Sequence, residues 1–288
     1  MEIVSEVIRS RQNRTVVGVA KLTDRREREQ TGLFRFDGIK LAGEALKAGA
    51  ELPVVLLREE EADGLMARLK DFPAEDLQRQ IGRVILLENS VFDRLSEEKS
   101  PEGIICVAKH LDKFQKNVTI YDDSVFPAGE RIVLLEAVRD PVNLGAIIRS
   151  AAAFGVGRLI LSADCADIYH PRTVRASMGA LFRQRIDRTP ELTGAITRLR
   201  GAGRRVYAAA LDRGAARLGE AAFGEEDCIV IGNEGHGLRP QTIAACDGCV
   251  FIPMEDSAES LNAAVAASVL MWELGRGARM RKTNGGNG

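Results

Sequence analysis

Two stretches of this chain alternate short apolar runs with longer segments of helical period. In the first, Leu33-Phe34-Arg35-Phe36, Leu52 to Leu57, Val84 to Leu87 and Gly103 to Ala108 predict strands. Gly38 to Lys47 and Glu59 to Lys70 predict helices between them. Ahead of these, Arg11 to Gln30 is polar and rich in helix formers, with Val16, Val19 and Leu22 at helical spacing. Lys109 to Glu130 breaks the rhythm and predicts a linker with one short strand. In the second stretch, strands are predicted at Arg131–Glu136, Arg158–Leu161, Arg205–Ala210, Cys228–Ile231 and Cys249–Ile252. Helices are predicted at Leu144–Phe154, Pro171–Met178, Leu192–Ala202, Arg239–Ala245 and Leu261–Leu274. Alternating strands and helices argue for layered α/β domains. Strands that are apolar throughout suit a parallel sheet covered on both faces.

Composition changes this picture little. With 45% hydrophobic and 28% charged residues, 288 residues suffice for two domains with real cores. Aromatics make up only 5%, so the cores must rest on Val, Ile, Leu and Ala. The expected division is 1–108, a linker at 109–130, and 131–288. The five cysteines, an odd number mostly inside apolar runs, are expected to be reduced thiols of a cytoplasmic protein. Cys246-Asp-Gly-Cys249 lacks the second pair that a structural zinc site needs, so no metal is expected. The first ten residues lack an apolar core, so no signal peptide is expected, and Leu261–Leu274 is too short to span a bilayer.

The net charge of −1 excludes a general polycation. Charge is nonetheless uneven. Arg9 to Lys40 holds nine Lys/Arg against four Asp/Glu, Ile168 to Ile186 holds four Arg and no acid, and the tail after Leu274 is basic. Such patches can bind a phosphate backbone under a neutral total, although solvated helix faces look the same in sequence. Arg14, Lys21, Arg25, Arg28, Arg35, Lys40 and Arg175 are the candidate contacts to such a backbone.

Three motifs carry the candidate chemistry. In Asp140-Pro-Val-Asn-Leu-Gly-Ala-Ile-Ile-Arg149, Asn143 is an expected N-cap for a helix from Leu144. Leu144, Ile147, Ile148, Ala151 and Ala152 form its apolar stripe, and Arg149 falls far outside that stripe at about 100° per residue. Arg149 therefore meets either solvent or a site. Gly232-Asn-Glu-Gly-His-Gly237 follows an apolar strand, where α/β proteins bind ligands and glycine permits close backbone approach. It lacks the Lys-Ser/Thr of a phosphate loop and the spacing of a dinucleotide fingerprint. Glu234 within it is unsuited to a phosphate. Ile252-Pro253-Met254-Glu255 ends a strand, and Ser257 or Ser260 is expected to cap the small-residue helix that follows Leu261. Ser260 and Asn262 stand at the mouth of that helix.

In this order and spacing, the three motifs resemble the SpoU (TrmH-like) branch of the SPOUT RNA methyltransferases. Arg175-Ala-Ser-Met-Gly-Ala-Leu-Phe182 resembles the family's segment between the first two motifs. Gly32 to Leu46 is similar to a substrate-binding domain of ribosomal-protein type. The resemblance implies a C-terminal α/β trefoil-knot domain that binds S-adenosylmethionine, with a smaller N-terminal α/β/α substrate-binding domain. It implies a homodimer through the C-terminal domain, and cofactor contacts from Gly232, Ile252, Met254 and Leu261. The implied reaction is methyl transfer to a ribose 2′-hydroxyl, with ribosomal RNA as the preferred substrate. Transfer RNA is the alternative substrate, and a non-catalytic RNA-binding or ribosome-assembly module is the alternative function. Arg149 would work beside the site. The family assigns the matching arginine as base, but a guanidinium stays protonated. A positioning role on phosphate or ribose, supported by Asn143, Glu234, Ser260 or Asn262, is the chemically easier expectation.

Overall fold

The computed structural model describes residues 2–72, 77–111, 126–212, 214–220, 223–233, 235–255 and 260–276. In chain order the first elements are β1 (Glu2–Ile8), α1 (Arg14–Lys21), α2 (Arg25–Thr31), β2 (Leu33–Asp37), α3 (Ile39–Lys47), β3 (Leu52–Arg58), α4 (Ala62–Lys70), α5 (Leu77–Gln80), β4 (Ile81–Leu87), α6 (Asn89–Leu95) and β5 (Ile104–Lys109). They are followed by β6 (Ile132–Leu135), α7 (Pro141–Phe154), β7 (Arg158–Ser162), α8 (Pro171–Ala176), β8 (Arg185–Thr189), α9 (Leu192–Gly201), β9 (Val206–Ala209), β10 (Ala216–Arg217), β11 (Cys228–Ile231), α10 (Pro240–Ala245), β12 (Gly248–Phe251) and α11 (Ala263–Leu274). The chain divides into two compact units, residues 1–111 with 167–183, and residues 112–166 with 184–288.

The first unit holds a five-stranded sheet of order β1-β4-β3-β5-β2. β1, β4 and β3 are parallel, while β5 runs antiparallel to β3 and β2. Val16, Val19 and Leu22 pack with Leu56, Ile85, Leu87, Ile105 and Val107 in one core. The pleat sends the alternate residues Val55, Leu57, Val84 and Cys106, all buried, to the opposite face. The helical pattern over Arg11–Gln30 forms two helices, α1 and α2. Asp24 accepts from the Arg26 N–H at 2.8 Å and so caps a new helix. β1 carried no strand pattern, since it is an edge strand whose pairing with β4 shifts register between Val4 and Val7.

Residues 167–183 were expected in the second domain, yet they group with the first unit. The Tyr169 ring stacks on His110 with centroids 4.1 Å apart and lies 4.7 Å from Phe34, while Phe36 meets Phe182 edge-on at 5.4 Å. The Tyr169 hydroxyl donates to the Leu111 carbonyl at 3.0 Å. Arg28, 1% exposed, donates to Asp167 at 2.8 and 3.0 Å and to the Leu22 and Thr23 carbonyls. Phe34, Phe36, Tyr169 and Phe182 thus meet in one cluster with His110.

The second unit holds a parallel sheet of order β10-β12-β9-β11-β6-β7-β8. β6, β7 and β11 are buried along their whole length, as a sheet covered on both faces requires. One face packs on α9 through Leu192, Ala195, Ile196 and Leu199. The other takes α11, which also lies against α7 and bonds it through Ser150 and Ser268 at 2.8 Å. β8 (Arg-Ile-Asp-Arg-Thr) escaped the sequence pattern because its charges are internal. Asp187 is buried and accepts from fully buried Arg158 at 3.2 Å, and Glu130 takes the same guanidinium at 3.1 Å. Arg204 donates to the Glu130 and Pro127 carbonyls, so residues 126–130, expected as linker, are tied into this unit. The rest of that stretch, 112–125, lies outside the described residues.

Arg158→Ala leaves Glu130 and Asp187 buried without their shared cation. The expected cost is roughly 3–5 kcal/mol of unfolding free energy. Urea unfolding of the variant checks this, and a wild-type midpoint would contradict it.

Candidate cofactor pocket and active site

The carboxyl ends of β9, β11 and β12 lie side by side in the second sheet, and a cavity of about 490 Å³ opens there. This is the place where open α/β sheets bind ligands, and the volume suits a cofactor-sized molecule. Ala209, Leu238, Ile243, Val250 and Leu270 supply apolar wall. Ile252, Met254, Ser260 and Leu261, all expected site residues, line it as well. Ile252 follows the last residue of β12, so its peptide group lies beyond the strand. The sequence reading missed Ala209, Ala210 and Leu211 at the end of β9. Small residues after a strand were the available signal, because they leave room for a ring to lie against backbone.

The glycine loop is held by its own backbone. Asn233 and Gly237 exchange N–H···O bonds at 3.0 and 2.9 Å. Gly237 has φ +64°, a conformation that favours glycine. A Cβ on Gly232 would stand 2.4 Å from the Gly237 carbonyl carbon. Gly232 was expected to be glycine so that a ligand can approach. The structure puts the loop's return strand in that space, while Gly237 and Leu238 line the cavity. Asn233, not singled out from sequence, is the organising side chain. Its Oδ1 accepts from the Gly235 and His236 N–H groups, and its Nδ2 donates to the Ala137 carbonyl at 2.8 Å. Asparagine in a glycine turn commonly makes such local bonds, which was the overlooked signal. Ala137 itself has φ +54°, a strained value for a residue with a Cβ. Glu234 lies outside the described residues.

Two further expectations change. The cap of α7 is Asp140, whose Oδ1 accepts from the Asn143 N–H at 2.8 Å, and the helix begins at Pro141. Aspartate followed by proline at the first helical position outcompetes Asn143 as the cap. Asn143 is thereby left in the first turn, where its Oδ1 accepts from Asn262 Nδ2 at 3.0 Å. Asn262 in turn caps α11, its Oδ1 accepting from the Ala264 and Val265 N–H groups, the role expected of Ser257 or Ser260. Ser260 lines the cavity instead, and Ser257 lies outside the described residues. The first and third motifs therefore meet through two asparagines at two helix N-termini.

Leu144, Ile147, Ile148 and Ala151 are buried as the wheel requires, whereas Ala152, at the stripe's edge, is exposed. Arg149 is exposed on the opposite side. It does not line the cavity, and its guanidinium has no hydrogen bond or ion pair among the described residues. Cys246 donates to the Thr242 carbonyl, and burial pushes its thiol up to about 12, so it stays protonated at neutral pH. Of the expected RNA contacts, Arg14, Lys21, Lys40, Arg25 and Arg175 are exposed, Arg25 beside Glu29 and Arg175 beside Glu98. Arg28 and Arg35 are withdrawn from that role. Both are 1% exposed, Arg28 held by Asp167 and Arg35 by Asp37 and the Leu95 carbonyl, so neither reaches a phosphate.

Gly232→Val is expected to collapse the glycine loop and with it cofactor affinity. Calorimetric titration with S-adenosylmethionine checks this, and a folded variant with wild-type affinity would refute the steric argument.

Residues 130–272 match the SpoU rRNA Methylase family, and residues 13–106 match the MRM3-like substrate binding domain. The chain is 30% identical over 267 residues to the 23S rRNA (guanosine(2553)-2′-O)-methyltransferase RlmP of Bacillus subtilis, covering 93% of this chain and 98% of that protein. It is 30% identical over 272 residues to a 23S rRNA (uridine(2479)-2′-O)-methyltransferase of Streptomyces viridochromogenes, covering 92% and 90%. The AdoMet-bound rRNA methyltransferase of Sinorhizobium meliloti superposes with a TM-score of 0.78 at 26% identity, over 96% of this chain and 98% of that one. A parallel sheet with a cavity at its carboxyl edge, two helix N-termini joined beside it, and relatives aligned along nearly their full length place the chain in the SpoU rRNA methylase family.

Proposed function

We propose that this protein transfers a methyl group to a ribose 2′-hydroxyl of ribosomal RNA. The observation that carries this reading is the 490 Å³ cavity at the ends of β9, β11 and β12, walled by the second and third motifs. Its apolar walls suit an adenosine, and the peptide groups past the strand ends suit the polar edge of its base. S-adenosylmethionine supplies an electrophilic methyl on a sulfonium. Bound there, it would yield that methyl from sulfur to the ribose oxygen, with the hydroxyl proton passing to an acceptor. This chain's residues contribute position. Ile252, Met254 and Leu261 hold the cofactor, and Asn143 and Asn262 fix the two helix N-termini against each other. Arg149, permanently cationic, orients the ribose-phosphate and is not the base. Ser260, at the cavity wall, and Glu234 remain candidates to assist it.

We place the chain as a homodimer with a trefoil knot in its second unit, working in the cytoplasm. Val265, Val269 and Trp272 are exposed along one side of α11, at the i, i+4, i+7 spacing of a helix seam, and Val142 is exposed on α7. That apolar face supports association between copies. No helix among the described residues is long and apolar enough to cross a membrane, and the five cysteines are free thiols.

Labelled methyl transfer to ribosomal RNA, with the modified ribose mapped, tests the reading, and no transfer at saturating cofactor would refute it. Arg149→Ala is expected to lower turnover by about 10²-fold, the scale of a misplaced substrate, with melting temperature and cofactor affinity unchanged. A fully active variant would make Arg149 a solvated surface residue. Replacing Arg14, Lys21 and Arg25 by Gln should reduce the salt slope of RNA binding by roughly 0.7 to 0.9 for each phosphate no longer neutralised. An unchanged slope would move the RNA face elsewhere.

A further inference from the structure

The first unit holds a cavity of its own, about 470 Å³, where the end of β2, the residues after α6 and the start of α8 come together. Its walls carry both signs of charge. Asp37, Glu97 and Glu98 face Arg172 and Arg175, with Phe36 and Pro171 between them. Asp37 is already satisfied, accepting from buried Arg35 at 3.1 Å and from the Ser96 hydroxyl at 2.6 Å. Glu98 is not. Its side chain is only 18% exposed, and its one ion pair among the described residues is with Arg175 at 3.5 Å, a residue itself 63% exposed. No hydrogen bond to its carboxylate occurs among the described residues. Burial holds the Glu98 carboxyl above its ordinary value, Asp37 and Glu102 adding to this and Arg175 opposing it. Glu98 is a largely buried acceptor short of donors.

The charge pattern narrows what the cavity can hold. A lone phosphate is repelled by Glu97 and Glu98, and a lone cation by Arg172 and Arg175. The ligand must present hydrogen-bond donors toward the carboxylates and negative charge toward the arginines. A nucleotide within an RNA strand does both, and single-stranded RNA is read through exposed base edges with arginine on phosphates or base faces. A carboxylate offers only acceptors. Among the four bases, guanine alone presents two adjacent donors on its Watson–Crick edge, N1–H and the N2 amino group. In uracil the single N3–H sits between two repelling carbonyls. In adenine and cytosine an acceptor nitrogen adjoins the amino group.

We propose that this cavity binds a guanine of single-stranded RNA, Glu98 accepting from N1–H and the N2 amino group while Arg172 and Arg175 hold the neighbouring phosphates. Pro171, half-buried, gives the base an apolar edge. This rests on the reading of the first unit as an RNA binder, and it adds a base preference to that reading.

The test is fluorescence anisotropy of the full-length protein with short labelled single-stranded RNAs. One is uridine only, and the others carry a central guanosine, inosine or cytidine. The guanosine strand is expected to bind about tenfold tighter than the uridine strand, the worth of one bidentate contact. Inosine, lacking the amino group, should fall between them. Glu98→Gln should remove the preference, so that guanosine and uridine strands bind alike, while affinity for S-adenosylmethionine is unchanged. Arg172→Ala should weaken every strand alike. Should Glu98→Gln fail to fold, competition on the wild type decides, with guanosine monophosphate displacing the guanosine strand and uridine monophosphate not. Equal affinity for guanosine and uridine strands, a cytidine preference, or a preference that survives in folded Glu98→Gln would overturn the pocket and leave the RNA-binding reading standing. Failure to bind any strand would overturn both.

Discussion

The second unit depends on one close approach, the return of the glycine loop onto the end of β11. Gly232 meets the peptide of Gly237–Leu238 at a distance no Cβ allows, and Asn233 bonds back to Ala137 at the end of β6. These contacts join the turn after one central strand to the turn after its neighbour. They also hold Leu238 as cavity wall. Glu136, buried at the end of β6, adds a second tie, accepting from the Arg239 N–H and the Thr242 hydroxyl and so fixing the start of α10. A site built this way needs few side chains pointing at the ligand, because its shape is backbone shape.

Both units bury arginines. Arg158 satisfies two acids within the second unit, and Arg28 and Arg35 satisfy Asp167 and Asp37 within the first. Burying such charges costs several kcal/mol per ion before pairing offsets it, so these groups add little net stability and penalise any arrangement that separates them. That is a reason for segment 167–183 to keep one place in the first unit. The aromatic cluster around Tyr169 secures the same segment by apolar contact. Polar specificity and apolar adhesion thus coincide on one stretch of chain.

Much was legible before the structure. Mostly apolar runs identified β3, β5, β6, β7 and β11, because strands buried on both faces cannot carry charge without a partner. The α7 stripe of Leu144, Ile147, Ile148 and Ala151 was readable because helical period maps directly onto burial. The third motif located the cavity wall at Ile252, Met254, Ser260 and Leu261, and the second added Gly237 and Leu238. Strands with internal charges or irregular pairing, β8 and β1, escaped, since neither presents an unbroken apolar run.

Local order in the sequence therefore determined the element types, the two α/β sheets and the strand ends where a site would form. These follow from hydrophobic period, glycine and proline, which act over a few residues. Tertiary structure alone decided which polar residues serve the site and which serve the fold. Arg28 and Arg149 look alike in sequence, but one is buried against an acid 139 residues away and the other is exposed. Asn143 and Asn262 are 119 residues apart and meet side chain to side chain. Glu98 acquires its character only when β2 and α8 close around it. The energy of a charge or an amide is set by its partners and its burial, and both are properties of the folded chain.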